Sequence, residues 1–283
     1  MVSPGGQNPR GRSLSVGHTT IARQRPAVKR LHIVGCPRSG TTLLMELVST
    51  CFASSGYCAH EMNIFEPLAA SGDIYFSKQP NDIKHLRHIF HRDPQLYIIY
   101  MSRDPRAVIT SKHRESPGQY FCNYRVWREC DVAARHYTGH PRFLQLRYED
   151  LVTDPNATQA GISAHYPALK QQHLFSDYHL FAQPSTASQQ AMNGLREVNR
   201  ASLQKWRQHL PRIAEQHRRH PTLADDLLRL GYEPDKRWLD ELRTVESVVY
   251  PCRYRERRAY FKEWEKALRI YLKSRRYLKR MTD

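Results

Sequence analysis

Gly35 and Gly40 are separated by Cys36-Pro37-Arg38-Ser39 and followed by Thr41 and Thr42. That spacing is the frame of a phosphate-binding loop, provided a strand precedes it and a helix follows. The chemistry it offers is anion binding. Backbone N–H groups at a helix N-terminus point outward without partners, and the helix dipole adds about half a positive charge there. Two glycines let the chain close around an oxyanion, while Thr41 and Thr42 bring hydroxyl donors. Arg38 brings a planar fork of N–H groups. Nucleoside triphosphatases place a Lys immediately before the final Ser/Thr, where it neutralises the β- and γ-phosphates. Here that position is Thr41, and the charge comes from Arg38 inside the loop. No carboxylate is well placed after a strand to hold Mg²⁺, since Asp104 follows Arg103 and reads as a helix cap.

The surrounding pattern supplies the elements this loop needs. Leu31-His32-Ile33-Val34 predicts a buried strand stopped by Gly35, and Leu43, Leu44, Leu47 and Val48 predict a helix from Thr41 to Cys51. A second strand is expected from Leu96 to Met101, breaking at Ser102-Arg103-Asp104-Pro105. A helix should then run from Pro105 to His113, with proline at the first helical position. A third strand is expected from Arg142 to Tyr148, followed by a turn at Glu149-Asp150. Strands alternating with helices imply α/β architecture, a three-layer sandwich around a central, mostly parallel sheet. From Ser202 to Tyr232 the pattern is helical, broken at Pro211 and Pro221. Residues 1–29 have no hydrophobic periodicity and read as a disordered basic arm. Residues 30–250 form the α/β domain. Residues 251–283 form a basic amphipathic helix with Phe261, Trp264, Leu268, Tyr271, Leu272 and Leu278 roughly on one face.

Three segments carry a family resemblance. Cys36-Pro37-Arg38-Ser39-Gly40-Thr41-Thr42-Leu43-Leu44 resembles the 5′-phosphosulfate loop of sulfotransferases that use 3′-phosphoadenosine 5′-phosphosulfate (PAPS). Tyr97 to Pro105, continuing to Ser111, resembles their 3′-phosphate site, where an Arg closes the strand and a Ser lies eight residues on. Arg103 and Ser111 have that spacing. Arg147-Tyr148-Glu149-Asp150-Leu151 is similar to the family's segment near the adenine. The resemblance implies PAPS as donor, bound by Arg38, Ser39, Gly40, Thr41, Thr42, Arg103, Ser111, Tyr148 and, in a looser match, Arg200. A donor with a phosphosulfate and a separate 3′-phosphate needs two anion sites and no triphosphate clamp, so the absent Lys fits sulfuryl transfer. His60-Glu61-Met62-Asn63-Ile64-Phe65 resembles the stretch where carbohydrate sulfotransferases carry a catalytic Glu. This makes Glu61 the expected base and carbohydrate the favoured acceptor. His60 is the competing base, its unperturbed pKa lying nearer neutrality. Lys78 resembles the family lysine that contacts the bridging oxygen. In the cytosolic branch a catalytic His lies two residues beyond that lysine; Pro80 stands there in this chain. Trp127, with Tyr148, is a candidate to flank the adenine.

Composition narrows the remaining choices. The 283 residues hold 44 Lys+Arg and 27 Asp+Glu, a net charge of +17, with 40% hydrophobic residues. No stretch approaches the ~18 apolar residues of a membrane span, and the N-terminus lacks the apolar core of a secretory signal. A cytoplasmic protein is expected. Six cysteines without a CxxC read as reduced thiols. His85, His88 and His91, three residues apart, read as a solvated basic helix, and no metal is expected. The excess charge points to an anionic partner: carbohydrate or lipid, with peripheral membrane contact through the C-terminal helix, and nucleic acid less favoured. The alternative readings are a P-loop nucleotide kinase and a basic nucleic-acid or membrane-surface binding protein on a degenerate nucleotide fold.

Overall fold

Short apolar runs build the sheet and amphipathic runs cover it. The computed structural model describes residues 29–68, 72–113, 115–257 and 260–282. The arm expected over 1–29 lies outside these apart from Lys29. In chain order the elements are β1 (Lys29–Gly35), α1 (Thr41–Cys51), β2 (Gly56–Tyr57), β3 (Ile74–Lys78), β4 (Leu96–Ser102), α2 (Pro105–Ile109), α3 (Tyr124–Arg135), β5 (Phe143–Arg147), α4 (Tyr148–Thr153) and α5 (Pro155–His165). They continue with α6 (Tyr178–Phe181), α7 (Thr186–Met192), α8 (Leu210–Arg219), α9 (Thr222–Arg229) and α10 (Tyr260–Thr282). Short 3₁₀ helices fill several connections, including Pro80–His88.

The five strands lie in the order β2-β3-β1-β4-β5, and every pairing is parallel. Side chains alternate between two cores, as the two-residue period of a strand requires. Leu31, Ile33, Ile99 and Met101 pack beneath α1, with Leu44, Leu47 and Val48. Val34, Ile98 and Tyr100 face α3, with Val126, Trp127 and Cys130. These are the three layers of the sandwich. Ile33, Ile98, Ile99 and Leu44 are fully buried, each contributing about 1.5–3 kcal/mol of apolar burial.

Register sets the site. Gly35 pairs with Met101, Ile33 with Lys78, and Ser102 with Arg147. The C-terminal ends of β1, β3, β4 and β5 therefore open on one edge of the sheet. The chain leaves β1 toward β3 on one side and reaches β4 on the other, so the strand order reverses at β1. In open α/β sheets ligands bind at such a crevice.

The helix expected over Pro105–His113 ends at Ile109. Its last residues, Val108 and Ile109, and the capping Thr110 are β-branched and stiff. Lys112 then forms an antiparallel bridge with Tyr120, and Ser111 O accepts from Phe121 N at 2.9 Å. Ser111 thus sits just beyond the helix. Pro211 does not break a helix but occupies the first turn of α8. The three-residue recurrence of His85 and His88 is that of a 3₁₀ helix, in which positions i and i+3 eclipse.

Candidate active site

The loop between β1 and α1 is held in a conformation that suits few residues. Gly40 has φ 98° and Arg38 has φ 74°. A Cβ on Gly40 would lie 2.3 Å from Tyr148 Cδ2, and one on Gly35 would lie 2.6 Å from Ser39 Oγ and 2.7 Å from the Met101 carbonyl. Both glycines are therefore required by close approach. Gly40 caps α1 with no side-chain hydrogen bond, and the first turn of α1 holds no acidic residue. Ser39 Oγ is buried without a partner. An uncapped helix start and an orphaned hydroxyl stand side by side in the chain, the donor set of an oxyanion site.

Arg38 and Arg103 converge on this loop. Arg38 Nε donates to Ser111 Oγ at 2.7 Å, and Arg103 Nη1 donates to the Arg38 carbonyl at 3.0 Å. These two bonds fix Arg38 in its left-handed conformation. The Arg103 guanidinium lies 4.0 Å from the Tyr148 ring centroid, and its Nε is buried without a partner. Trp127 Nε1 donates to the Arg103 carbonyl at 3.0 Å. Trp127 is itself buried in the core, so its visible role is to position Arg103. Burial, and then the charge of Arg103, hold the Arg38 pKa below its usual value. Among the described residues neither guanidinium has an acidic partner within ion-pair distance. Two cations brought together around orphaned donors leave room for an anion.

Lys78 closes the other side. Its side chain is 1% exposed, and Nζ donates to Thr42 Oγ1 at 3.1 Å and to Glu61 Oε1 at 3.3 Å. Glu61 is 41% exposed, so it reaches both the buried ammonium and solvent. Burial lowers the Lys78 pKa; Glu61, then Cys58 and Glu46, oppose that shift. His60 Nδ1 lies 3.3 Å from Ser188 Oγ on α7. Burial and the Lys78 charge lower the His60 pKa, against the pull of Glu61.

A buried polar clamp holds the Glu61 segment in place. Met62 N donates to the Lys78 carbonyl at 3.0 Å. Arg30 donates to the carbonyls of Asn63, Ile64 and Glu66, and Asp82 accepts from Ile64 N at 2.6 Å. His32 spans Ser77 Oγ at 2.7 Å and Asp82 Oδ2 at 3.2 Å. Burial drives His32 down to about 4, so its ring is neutral at neutral pH. Burial works to raise Asp82, but hydrogen bonds from His32 and His85 outweigh it and hold the carboxyl at about 2.

Of the residues singled out by sequence, Arg38, Ser39, Gly40, Arg103, Ser111 and Tyr148 are brought together, and Thr42, Lys78 and Glu61 adjoin them. Thr41, buried, opens α1. Arg200 is not brought to the loop: its Nη2 donates to the Thr153 carbonyl at 3.0 Å on the exposed surface. Asp104 accepts from Arg106 N at 2.8 Å at the start of α2 and pairs with the Arg106 guanidinium, the helix-cap role read from sequence. Sequence reasoning missed Glu46, Ser188 and Ser202. Glu46 is buried in α1, and burial raises its pKa against the opposing influence of Ser188 and Lys78. Its signal was a single acid inside the apolar run Leu43 to Val48. Ser202 Oγ, 2.7 Å from Tyr148 Oη, had none, because the contact joins segments 54 residues apart.

Part of the chain is similar to known proteins. The model described as "Sulfotransferase family" matches residues 50–166, from the end of α1 to the residue after α5, and this part of the chain is similar to that family. Similar solved structures include the sulfotransferase domain from the Synechococcus PCC 7002 olefin synthase, at 20% identity over 65% of this chain and 90% of that one, TM-score 0.44. The sulfotransferase domain from the curacin biosynthetic pathway is similar at 15% identity over 64% and 91%, TM-score 0.48. Mouse sulfotransferase SULT7A1, complexed with PAP, is similar at 15% identity over 75% and 88%, TM-score 0.43. No curated protein matches the chain.

Proposed function

We propose that this protein is a sulfotransferase that takes its sulfuryl group from PAPS and delivers it to a hydroxyl or amine, with Glu61 as the base and carbohydrate as the favoured acceptor. The observation that carries the donor assignment is the pair Arg38 and Arg103, two guanidiniums with no acidic partner among the described residues, at an uncapped helix start beside the orphaned Ser39 hydroxyl. The loop and Arg38 hold the phosphosulfate, Arg103 with Ser111 holds the 3′-phosphate, and Tyr148 borders the adenine. Glu61 accepts the acceptor's proton as its oxygen or nitrogen bonds to sulfur. As the bond from sulfur to the bridging oxygen breaks, Lys78 meets the charge left on that oxygen, and adenosine 3′,5′-bisphosphate departs. Positioned charge of this kind stabilises a transition state without reorganisation. A nucleotide kinase is disfavoured because Thr41 stands where its Lys belongs and Asp104 is engaged by Arg106 and the α2 start.

The test is transfer from labelled PAPS across a panel of carbohydrate, phenolic and lipid acceptors, followed by Glu61→Gln and His60→Ala on the best one. Glu61→Gln is expected to lower turnover by about 10²-fold or more while leaving binding of adenosine 3′,5′-bisphosphate nearly unchanged. Wild-type turnover in Glu61→Gln, with loss in His60→Ala, would move the base to His60.

A further inference from the structure

The surface of α10 is divided in three. Ile270, Ser274, Tyr277 and Leu278 turn inward: Ser274 is 3% exposed, Tyr277 hydrogen-bonds Asp93 and meets Phe65 edge-on at 6.2 Å, and Ile270, Tyr277 and Leu278 pack on the core. Trp264, Leu268, Tyr271 and Leu272 are 67, 44, 49 and 45% exposed. At 100° per residue they share one arc about 100° wide, adjoining the docked face, and the exposed Arg275 and Lys279 extend that arc past Leu272. Arg269, Lys273, Arg276 and Arg280 occupy the arc on the far side of that stripe, all exposed. The helix carries eight Lys and Arg against two Glu. Beside it a groove of about 860 Å³ runs between α10, the 3₁₀ helix Pro80–His88 and α3, edged by Arg87, Arg128 and Lys266.

We propose that α10 docks the protein on the surface of an anionic lipid bilayer, with the Trp264–Leu272 stripe entering the headgroup boundary and the flanking cations meeting acidic headgroups. An exposed apolar stripe bordered by cations is the pattern of an interfacial helix, which binds through buried apolar area together with attraction to anionic lipid. Other occupants fit less well. The chain's own N-terminal 29 residues hold Arg10, Arg12, Arg23 and Arg25 and no acid, so they repel this face. A second copy would bring two basic arcs together. A nucleic acid would meet the cations but leave Trp264, Leu268 and Leu272 wet. The docked face touches Phe65, four residues after Glu61, so the surface helix and the segment carrying the proposed base are in contact. The proposal does not depend on which acceptor is sulfated.

The experiment is sedimentation of the full chain with vesicles of phosphatidylcholine alone or with about 30% phosphatidylglycerol, at low and high salt. Wild type is expected to bind the anionic vesicles at least about tenfold more tightly than the neutral ones, weakening with salt. The variant Trp264→Ser/Leu268→Ser/Leu272→Ser should lose vesicle binding. The variant Arg269→Gln/Lys273→Gln/Arg276→Gln should lose the anionic preference. Both should keep wild-type circular dichroism and thermal midpoint, since these side chains are exposed. Absence of vesicle binding, equal binding to both compositions, or retained binding by the serine variant would each overturn the proposal. So would concentration-dependent dimerisation that the serine variant abolishes in a protein that ignores vesicles.

Discussion

Arg38 is a non-glycine residue at φ 74°, a conformation costing on the order of 1–3 kcal/mol that persists only when its surroundings over-determine it. Ser111 and Arg103 do so from two directions. The result is a guanidinium aimed before any ligand arrives, which removes ordering cost from binding. At the transfer end, burial lowers the Lys78 pKa, and neighbouring carboxylates, Glu61 first and Glu46 among them, oppose that shift. The proposed transfer needs a charged Lys78 at the leaving oxygen, so activity is expected to fall as pH rises through its pKa. Replacing Glu46 by Gln removes a negative charge that favours the ammonium, lowering that pKa further. The alkaline limb of the kcat/KM profile should therefore move to lower pH in Glu46→Gln, with the acid limb in place. A uniform loss of rate at every pH, with no movement of the limb, would reduce Glu46 to a packing role.

At the level of elements, the strand–loop–helix unit from Lys29 to Cys51 fixes the anion site because Gly40 lets the Tyr148 ring approach. Gly40→Ala forces a Cβ to 2.3 Å from that ring at φ 98°. It should cost about 1–3 kcal/mol of stability and weaken binding of adenosine 3′,5′-bisphosphate by about tenfold or more, read by thermal melting and calorimetry. Unchanged binding in the folded variant would mean that the Gly40–Tyr148 contact is not part of the site. This unit was legible in the sequence because its signals are local: an apolar run, two glycines, then helical spacing. Leu96–Ser102 and Phe143–Arg147 were legible for the same reason. β3 was not, since Ile74–Lys78 is only five residues long, shows no alternation, and ends in a buried Lys that gains its meaning from Thr42 and Glu61. The end of α2 was missed because the bridge from Lys112 to Tyr120 competes with further helix. The clamp of Arg30, His32 and Asp82 escaped because its members come from separate segments and bond mostly to backbone carbonyls and amides. The matched family segment begins at residue 50, after the loop, so loop and family match are independent pointers to one chemistry.

Across the whole molecule, the net charge of +17 separates into parts with different work. Arg38, Arg103 and Lys78 lie at the open edge of the sheet, where parallel register aligns the ends of β1, β3 and β4. A larger share belongs to α10 and to the sequence of residues 1–29. No helix among the described residues is long and apolar enough to cross a membrane, which leaves α10 as a surface element. The central claim is that the inner cations form two separate anion sites, one at the loop and one at Arg103 and Ser111. Isothermal titration in the presence of EDTA tests it most directly, comparing adenosine 3′,5′-bisphosphate with adenosine 5′-monophosphate, and both with Mg²⁺·ATP in a parallel EDTA-free titration. The account predicts metal-independent binding of the bisphosphate, weakened by about 10²-fold when the 3′-phosphate is removed, and weaker binding of Mg²⁺·ATP. A requirement for Mg²⁺, or tighter binding of Mg²⁺·ATP than of the bisphosphate, would contradict it.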